Sequence, residues 1–212
     1  MEFVSFVEDV ISKEVLCRII TKIKNEENID VKFYNSVPTI KRGFGNIKKD
    51  ISKYIDMSNN EINVLILTDL DSDKGACPKN LIMDWCKCKP DSLPKRLIFR
   101  VAKYEIETWL LADRENFASF LQIPKDNFED NVEQILNPKE HILDVIRNKG
   151  QKKWHKEMLP KTDHVGIGPL YNSKLCEFVK DYWNISEAMK HSDSLNRAVC
   201  RIREFVSNEA KV

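Results

Sequence analysis

Apolar positions follow two alternating rhythms along the first half of the chain. Residues 3–7, apolar apart from Ser5, predict a strand. Residues 12–27 then carry Val15, Leu16, Ile19, Ile20 and Ile23 at helical spacing, with Ser12 as the expected N-cap. Residues 29–35 alternate and predict a second strand. A loop, KRGFGN, leads into a second helix whose shared face is Ile47, Ile51, Tyr54 and Ile55. Residues 64–67 are apolar and β-branched-rich and predict a third strand, buried on both faces. Pro78 marks the start of a third helix with Leu81, Ile82 and Trp85 inward. Residues 96–101 predict a fourth strand, followed at once by a helix over 104–111. Strands that alternate with helices imply right-handed crossovers and a mostly parallel sheet. Residues 1–112 therefore read as a small Rossmann-like α/β domain with helices on both faces.

After residue 112 the strand rhythm fades. Residues 114–122, 129–148, 169–183 and 192–206 suit helices, and 150–168 reads as a loop. Residues 113–212 are expected to pack on the first domain as a helical extension. In this reading Trp109, Leu110 and Leu111 are core, and Asp113 caps the helix that follows. At 212 residues the chain has room for one domain and such an appendage, and its 42% hydrophobic content can fill a sizeable core.

Composition then removes whole classes. A net charge of +1 gives no global signal for nucleic acid, although Lys41, Arg42, Lys48 and Lys49 cluster locally, as do lysines over 149–161. No apolar run is long enough to span a membrane and no secretory segment opens the chain, so no membrane partner is expected and cytoplasmic localisation is the default. Cys17, Cys176 and Cys200 sit in apolar helical patterns and read as reduced core residues. Cys77, Cys86 and Cys88 do not match common zinc spacings. The four histidines form no metal-ligand pattern and read as structural or surface residues. The GxxxxGK[ST] phosphate loop is absent, and the glycines at 166 and 168 match no nucleotide fingerprint and read as turn residues.

The chemistry concentrates where the third strand ends. VLILTDLDSD sets Asp69, Asp71 and Asp73 at alternate positions directly after the apolar run. Ligand sites in open α/β sheets lie just past the carboxyl ends of strands. Carboxylates crowded there repel one another, and a divalent cation such as Mg²⁺, or Mn²⁺ in its place, relieves this because it prefers oxygen ligands. An acidic surface turn is the plainer reading of the same residues. The first strand also ends in acids, Glu8 and Asp9. If the first and third strands are neighbours, Glu8 comes beside Asp69 and Asp71 and an oxygen-rich site for one or two metals results. Glu105 and Glu107 follow the fourth strand on the same edge, although acids also suit a helix start on their own account. Two residues apart, they cannot both face one metal, and Glu105 is assigned as the nearer. Arg42 and Gly43 offer a flexible loop and a cation to a phosphate, and Lys174 offers a second cation, or is simply a solvated lysine.

FVED followed by a helix, then an apolar strand ending in DLD, resembles the TOPRIM domain shared by topoisomerases, primases and OLD-family nucleases. Glu8 matches that family's Glu, and Asp69 with Asp71 matches its DxD, while Asp9 stands where the family carries Gly. Most of the chain is similar to a short bacterial TOPRIM-like family of unknown function. The matching features are Arg42 and Gly43, the segment RVAKYEIETWLLAD, and Tyr171 with Lys174. That resemblance implies catalytic Glu8, Asp69 and Asp71 and metal ligation by these residues, with Asp73 and Glu105 as further ligands. It implies substrate contacts from Arg42, Gly43 and Lys174, and Mg²⁺ or Mn²⁺ as cofactor. The expected function is a metal-dependent nuclease acting in anti-phage defence, with nucleic acid as substrate, an ABC-type ATPase as partner, and a homodimer left open. The alternative is a non-catalytic or partner-activated regulatory subunit of an ABC-type ATPase complex. The chain is too short for strand passage and lacks a template-binding module, which removes topoisomerase and primase activity.

Overall fold

The computed structural model describes residues 1–70, 77–89, 92–161 and 166–210. Its centre is a parallel sheet in the order β2-β1-β4-β5, built from Lys32–Phe33 (β2), Glu2–Val7 (β1), Val64–Asp69 (β4) and Leu97–Ala102 (β5). A further strand, Thr39–Ile40 (β3), pairs with the far end of β1. Because β4 occupies one edge of β1, β2 and β3 lie end to end along the other. All of these ladders are parallel. The expected α/β, Rossmann-like architecture is what the chain adopts.

Pleating sorts the strand side chains between two cores. Phe3, Val7, Leu65, Leu67, Ile98 and Ala102 face the larger core, which includes α1 (Val10–Glu27). Phe6, Val64, Ile66, Leu97, Phe99 and Val101 face the smaller core. That side is covered by α2 (Phe44–Lys49), α3 (Ile51–Asn59) and α4 (Pro78–Cys86). Both faces of β1, β4 and β5 are thus buried, which explains their nearly unbroken apolar sequences.

The larger core runs without a break from Phe3 to Val206. It takes in α5 (Glu107–Leu111), α6 (Arg114–Leu121), α7 (Pro138–Lys149) and α8 (Lys153–Met158). The remaining helices are α9 (Tyr171–Asp181), α10 (Ile185–His191) and α11 (Asp193–Glu209). Polar threads stitch these helices to the α5 region. Trp109 Nε1 donates to Ser194 Oγ at 2.8 Å, and Trp183 Nε1 donates to the Trp109 carbonyl at 3.3 Å. His155 is buried with its Nε2 2.9 Å from the Leu121 carbonyl, a structural histidine. No helix among the described residues is long and apolar enough to cross a membrane.

Several local expectations shift. α1 begins at Val10 because Asp9, not Ser12, is its cap: the Asp9 carboxylate accepts from Ser12 N at 2.7 Å, and Ser12 is buried in the first turn. The second predicted strand shrinks to two residues, since a turn with Ser36 at φ 65° interrupts the edge. The second predicted helix divides at Asp50, whose φ −97° and ψ 5° leave the helical region. Helix 129–148 starts only at Pro138, because proline suits a first turn and pushes the preceding residue out of helical geometry. Short 3-10 turns at Lys125–Asn127 and Val132–Gln134 come before it, and α8 forms within the expected 150–168 loop. Cys200 is exposed on α11 rather than in the core, and all six cysteines are free.

Candidate functional site

The parallel register fixes the site. β1 and β4 pair in step from Val4↔Val64 to Val7↔Leu67, so Glu8 falls opposite Thr68 at the carboxyl end of the sheet. Its Oε1 accepts from the Thr68 hydroxyl and from Asp69 N, the latter at 3.0 Å. The expected proximity of Glu8 and Asp69 is therefore a direct consequence of strand adjacency. β4 continues into Asp69, on the same face as Leu65 and Leu67, so its carboxylate turns toward the larger core.

The chain then leaves β5 through Tyr104, at φ 62°. A left-handed backbone is costly for a bulky aromatic residue, and it prevents a helix from starting there. α5 begins at Glu107 instead, with Thr108 Oγ1 donating to the Lys103 carbonyl at 2.8 Å across the turn. The result brings Glu107 into the interior, 1% exposed, and leaves Glu105 on the rim. Glu105 faces α7: its Oε2 accepts from Lys139 N at 2.8 Å and its Oε1 lies 3.2 Å from Lys139 Nζ. Of the two, Glu107 is the acid whose charge, after that of Glu8, bears on Asp69, while Glu105 is held by Lys139.

Few groups satisfy these carboxylates. Glu107 Oε1 accepts from the Tyr171 hydroxyl at 3.1 Å and lies 4.0 Å from Lys139 Nζ. Glu107 Oε2 and Asp69 Oδ1 are buried with no hydrogen-bond partner among the described residues. Asp69 as a residue keeps some exposure, but that oxygen does not. Burial pushes the Glu107 carboxyl up to about 7, against the pull of Lys139. Burial, followed by the charges of Glu8, Glu107 and Asp9, holds the Asp69 carboxyl well above its usual range. For Lys139, burial favours the neutral amine, but Glu107, Glu105 and Asp69 outweigh it and raise its proton affinity. Tyr171 is raised too, by burial first and then by Glu107.

The other predicted residues fall at graded distances from this cluster. Arg42 N donates to the Glu8 carbonyl at 2.9 Å, so the Arg42–Gly43 loop abuts the strand end, and both residues are exposed. Consecutive positive φ values, 50° at Arg42 and 111° at Gly43, shape that loop, and the second suits glycine. Lys174 sits elsewhere: its Nζ is 2.7 Å from Glu177 and 5.0 Å from the centre of the Trp154 ring. Asp71 and Asp73 lie outside the described residues. Among the described residues no three acidic, histidine or cysteine side chains form a ready metal cage. Sequence reasoning missed Lys139 and Thr68 as members of the site, and Tyr171 was flagged only through its resemblance motif.

Fold and site together define a class: an α/β protein with a buried acidic cluster at the carboxyl edge of a parallel sheet. No family model matches the chain, and no curated protein or solved structure matches it.

Proposed function

We propose that this chain is a metal-dependent nuclease whose carboxylate cluster acts on nucleic-acid phosphodiesters. One observation carries the reading: two buried carboxylate oxygens, on Asp69 and Glu107, have no hydrogen-bond partner among the described residues at the sheet edge where Glu8 is also held. Oxygen donors without partners, crowded with like charge, are the donor set that a hard divalent cation prefers. Glu8, Asp69 and Glu107 would hold Mg²⁺ or Mn²⁺, with Asp71 and Asp73 following in sequence as further acids. When bound, such a cation polarises a phosphate and makes water more acidic.

The chain's own residues supply the rest. Thr68 and Asp69 N orient Glu8, and Tyr171 orients Glu107. Lys139, half-buried on the rim, offers a positive charge to the developing charge on phosphate. Arg42 and Gly43 border Glu8 and are exposed, so they are the residues to meet a substrate backbone. Lys174 would have to leave Glu177 and Trp154 to contribute. Contacts to phosphate alone give little sequence preference. The TOPRIM resemblance favours the same reading, and it alone supports a role in anti-phage defence beside an ABC-type ATPase.

The test is cleavage of plasmid, single-stranded DNA and RNA with Mg²⁺ or Mn²⁺, comparing the wild type with Asp69→Asn and Asp71→Asn. Metal-dependent cutting that both variants lose is the expected result. Cutting that survives in both variants would reject the cluster as the catalytic centre.

A further inference from the structure

β5 is the last strand of the sheet, and among the described residues its outer edge pairs with no other strand. A cavity of about 800 Å³ runs along that edge, between α4 on one side and α11 on the other. This is within the range of small-molecule sites, roughly 300–1,000 Å³. Its two walls differ because β5 alternates. On the α4 side Leu97 and Phe99 continue into Ile82, Leu93 and Pro94, an apolar wall. On the α11 side Arg100 faces Arg197 and Arg201, which share one helix face at a spacing of four. Lys79, Lys95 and Lys103 add further positive charge, and among the described residues Glu133 and Asp193 are the only acids lining the cavity.

Those acids are engaged. Asp193 pairs with Arg197 at 2.6 Å, and Glu133 accepts from Ser194 N at 2.7 Å and from the Ser192 hydroxyl at 2.9 Å. Arg201 pairs with Glu204 at 2.8 Å. Arg100 has no side-chain hydrogen bond or ion pair among the described residues, and its Nε is buried. Burial, and then Arg201 and Arg197, weaken its hold on its proton. A guanidinium cannot escape by deprotonating, so an anion is the ligand that this arrangement favours.

We infer that the β5 cavity binds a nucleoside phosphate, its phosphate group between Arg100, Arg197 and Arg201 and its base against the apolar wall of Ile82 and Leu93. Three guanidinium forks match the three or more free oxygens of a terminal phosphate better than the two of a carboxylate. The apolar wall offers a planar base a dry surface that inorganic phosphate cannot use. This site is built from residues other than the carboxylate cluster, and it stands whether or not the chain is a nuclease.

The test is calorimetric titration of the full chain with AMP, ADP, ATP and inorganic phosphate, in EDTA to exclude divalent cations. The expected result is that a nucleotide binds about tenfold or more tightly than inorganic phosphate, and that Arg100→Gln weakens it about tenfold or more. A second variant, Arg197→Ala with Arg201→Ala, changes only exposed side chains of α11 and is expected to weaken binding similarly. It decides the matter if Arg100→Gln does not fold by circular dichroism. Equal binding of nucleotide and inorganic phosphate overturns the inference, as does nucleotide binding that both variants retain. A single-stranded oligonucleotide that binds while mononucleotides do not overturns it as well, and would assign the cavity to a strand.

Discussion

The sheet gathers like charges in two places, and the two clusters relax in opposite ways. At the carboxyl edge Glu8, Asp69 and Glu107 crowd together, and along β5 Arg100 meets Arg197 and Arg201. Each cluster includes a buried polar atom without a hydrogen-bond partner among the described residues. Carboxylates can discharge by taking up protons, and Glu107 titrates near neutrality as a result. Guanidinium groups keep their charge at any physiological pH. Acidity therefore relieves the first cluster, whereas in the second Arg197 and Arg201 already pair with Asp193 and Glu204 and Arg100 is left to a counter-ion. This separates the site proposed to hold a metal, where protons would compete, from the site inferred to take an anionic ligand.

The largest effect expected is on catalysis. Asp69→Asn should lower metal-dependent cleavage on the order of a thousandfold, which corresponds to about 4 kcal/mol of transition-state stabilisation. The same change removes a repelling buried charge and should raise the melting temperature without metal. Mg²⁺ should raise the melting temperature of the wild type but not of the variant, since a ligand stabilises only the state it binds. A variant that melts lower, with or without metal, would mean that Asp69 is a structural group.

The pH dependence comes next. Folding raises the Glu107 carboxyl from 4.5 to about 7, so the folded state holds a proton that the unfolded state has released. The associated stability is complete below about pH 4.5 and is lost as pH rises through about 7, by on the order of 3 kcal/mol. Urea unfolding of the metal-free protein across that window measures it. Glu107→Gln should reduce the slope, leaving the part that belongs to Asp69, whose carboxyl is also raised, and an unchanged slope in that variant would point away from Glu107.

The legibility of these sites follows from the range of the interactions that make them. The β4 acids were readable because a buried parallel strand is a continuous apolar run, and the acids mark where it ends. Strand adjacency then placed Glu8, which is why that pairing was foreseeable. The choice between Glu105 and Glu107 was not, because it depends on the positive φ of Tyr104, which delays α5 by three residues. Lys139 reaches the site across 34 residues of chain, and no local pattern encodes that approach. The two-residue strands β2 and β3 are too short to show a period. Arg100 did leave a signal, as a charge inside the apolar run RLIFRV, although its meaning needed α11 beside it.

On the basic side the effect on stability should be smaller and opposite in direction to the usual loss from a core substitution. Arg100→Met keeps the unbranched apolar stem of the side chain and removes a buried donor that lacks a partner among the described residues. Such a donor costs roughly 1–3 kcal/mol, so the variant should unfold at higher urea than the ligand-free wild type. Saturating anion should narrow the gap. A destabilised Arg100→Met protein would show that the guanidinium is already compensated, and the contrast between the two clusters would fail there.

The smallest effect tests the contrast from within the acidic cluster. Tyr171 donates to Glu107 at 3.1 Å, and this bond favours the charged carboxylate. Tyr171→Phe removes the donor and little else, since the ring stays in the same buried place. The Glu107 carboxyl should then titrate higher still, and the stability lost between acid and neutral pH should grow by about 1 kcal/mol. Below pH 4.5 the carboxyl is neutral and the two proteins should differ less. An equal loss at every pH would mean that the hydroxyl serves packing alone. A loss confined to the window above pH 4.5 would show that Tyr171 holds the charge of Glu107, the state in which that carboxylate can bind a cation.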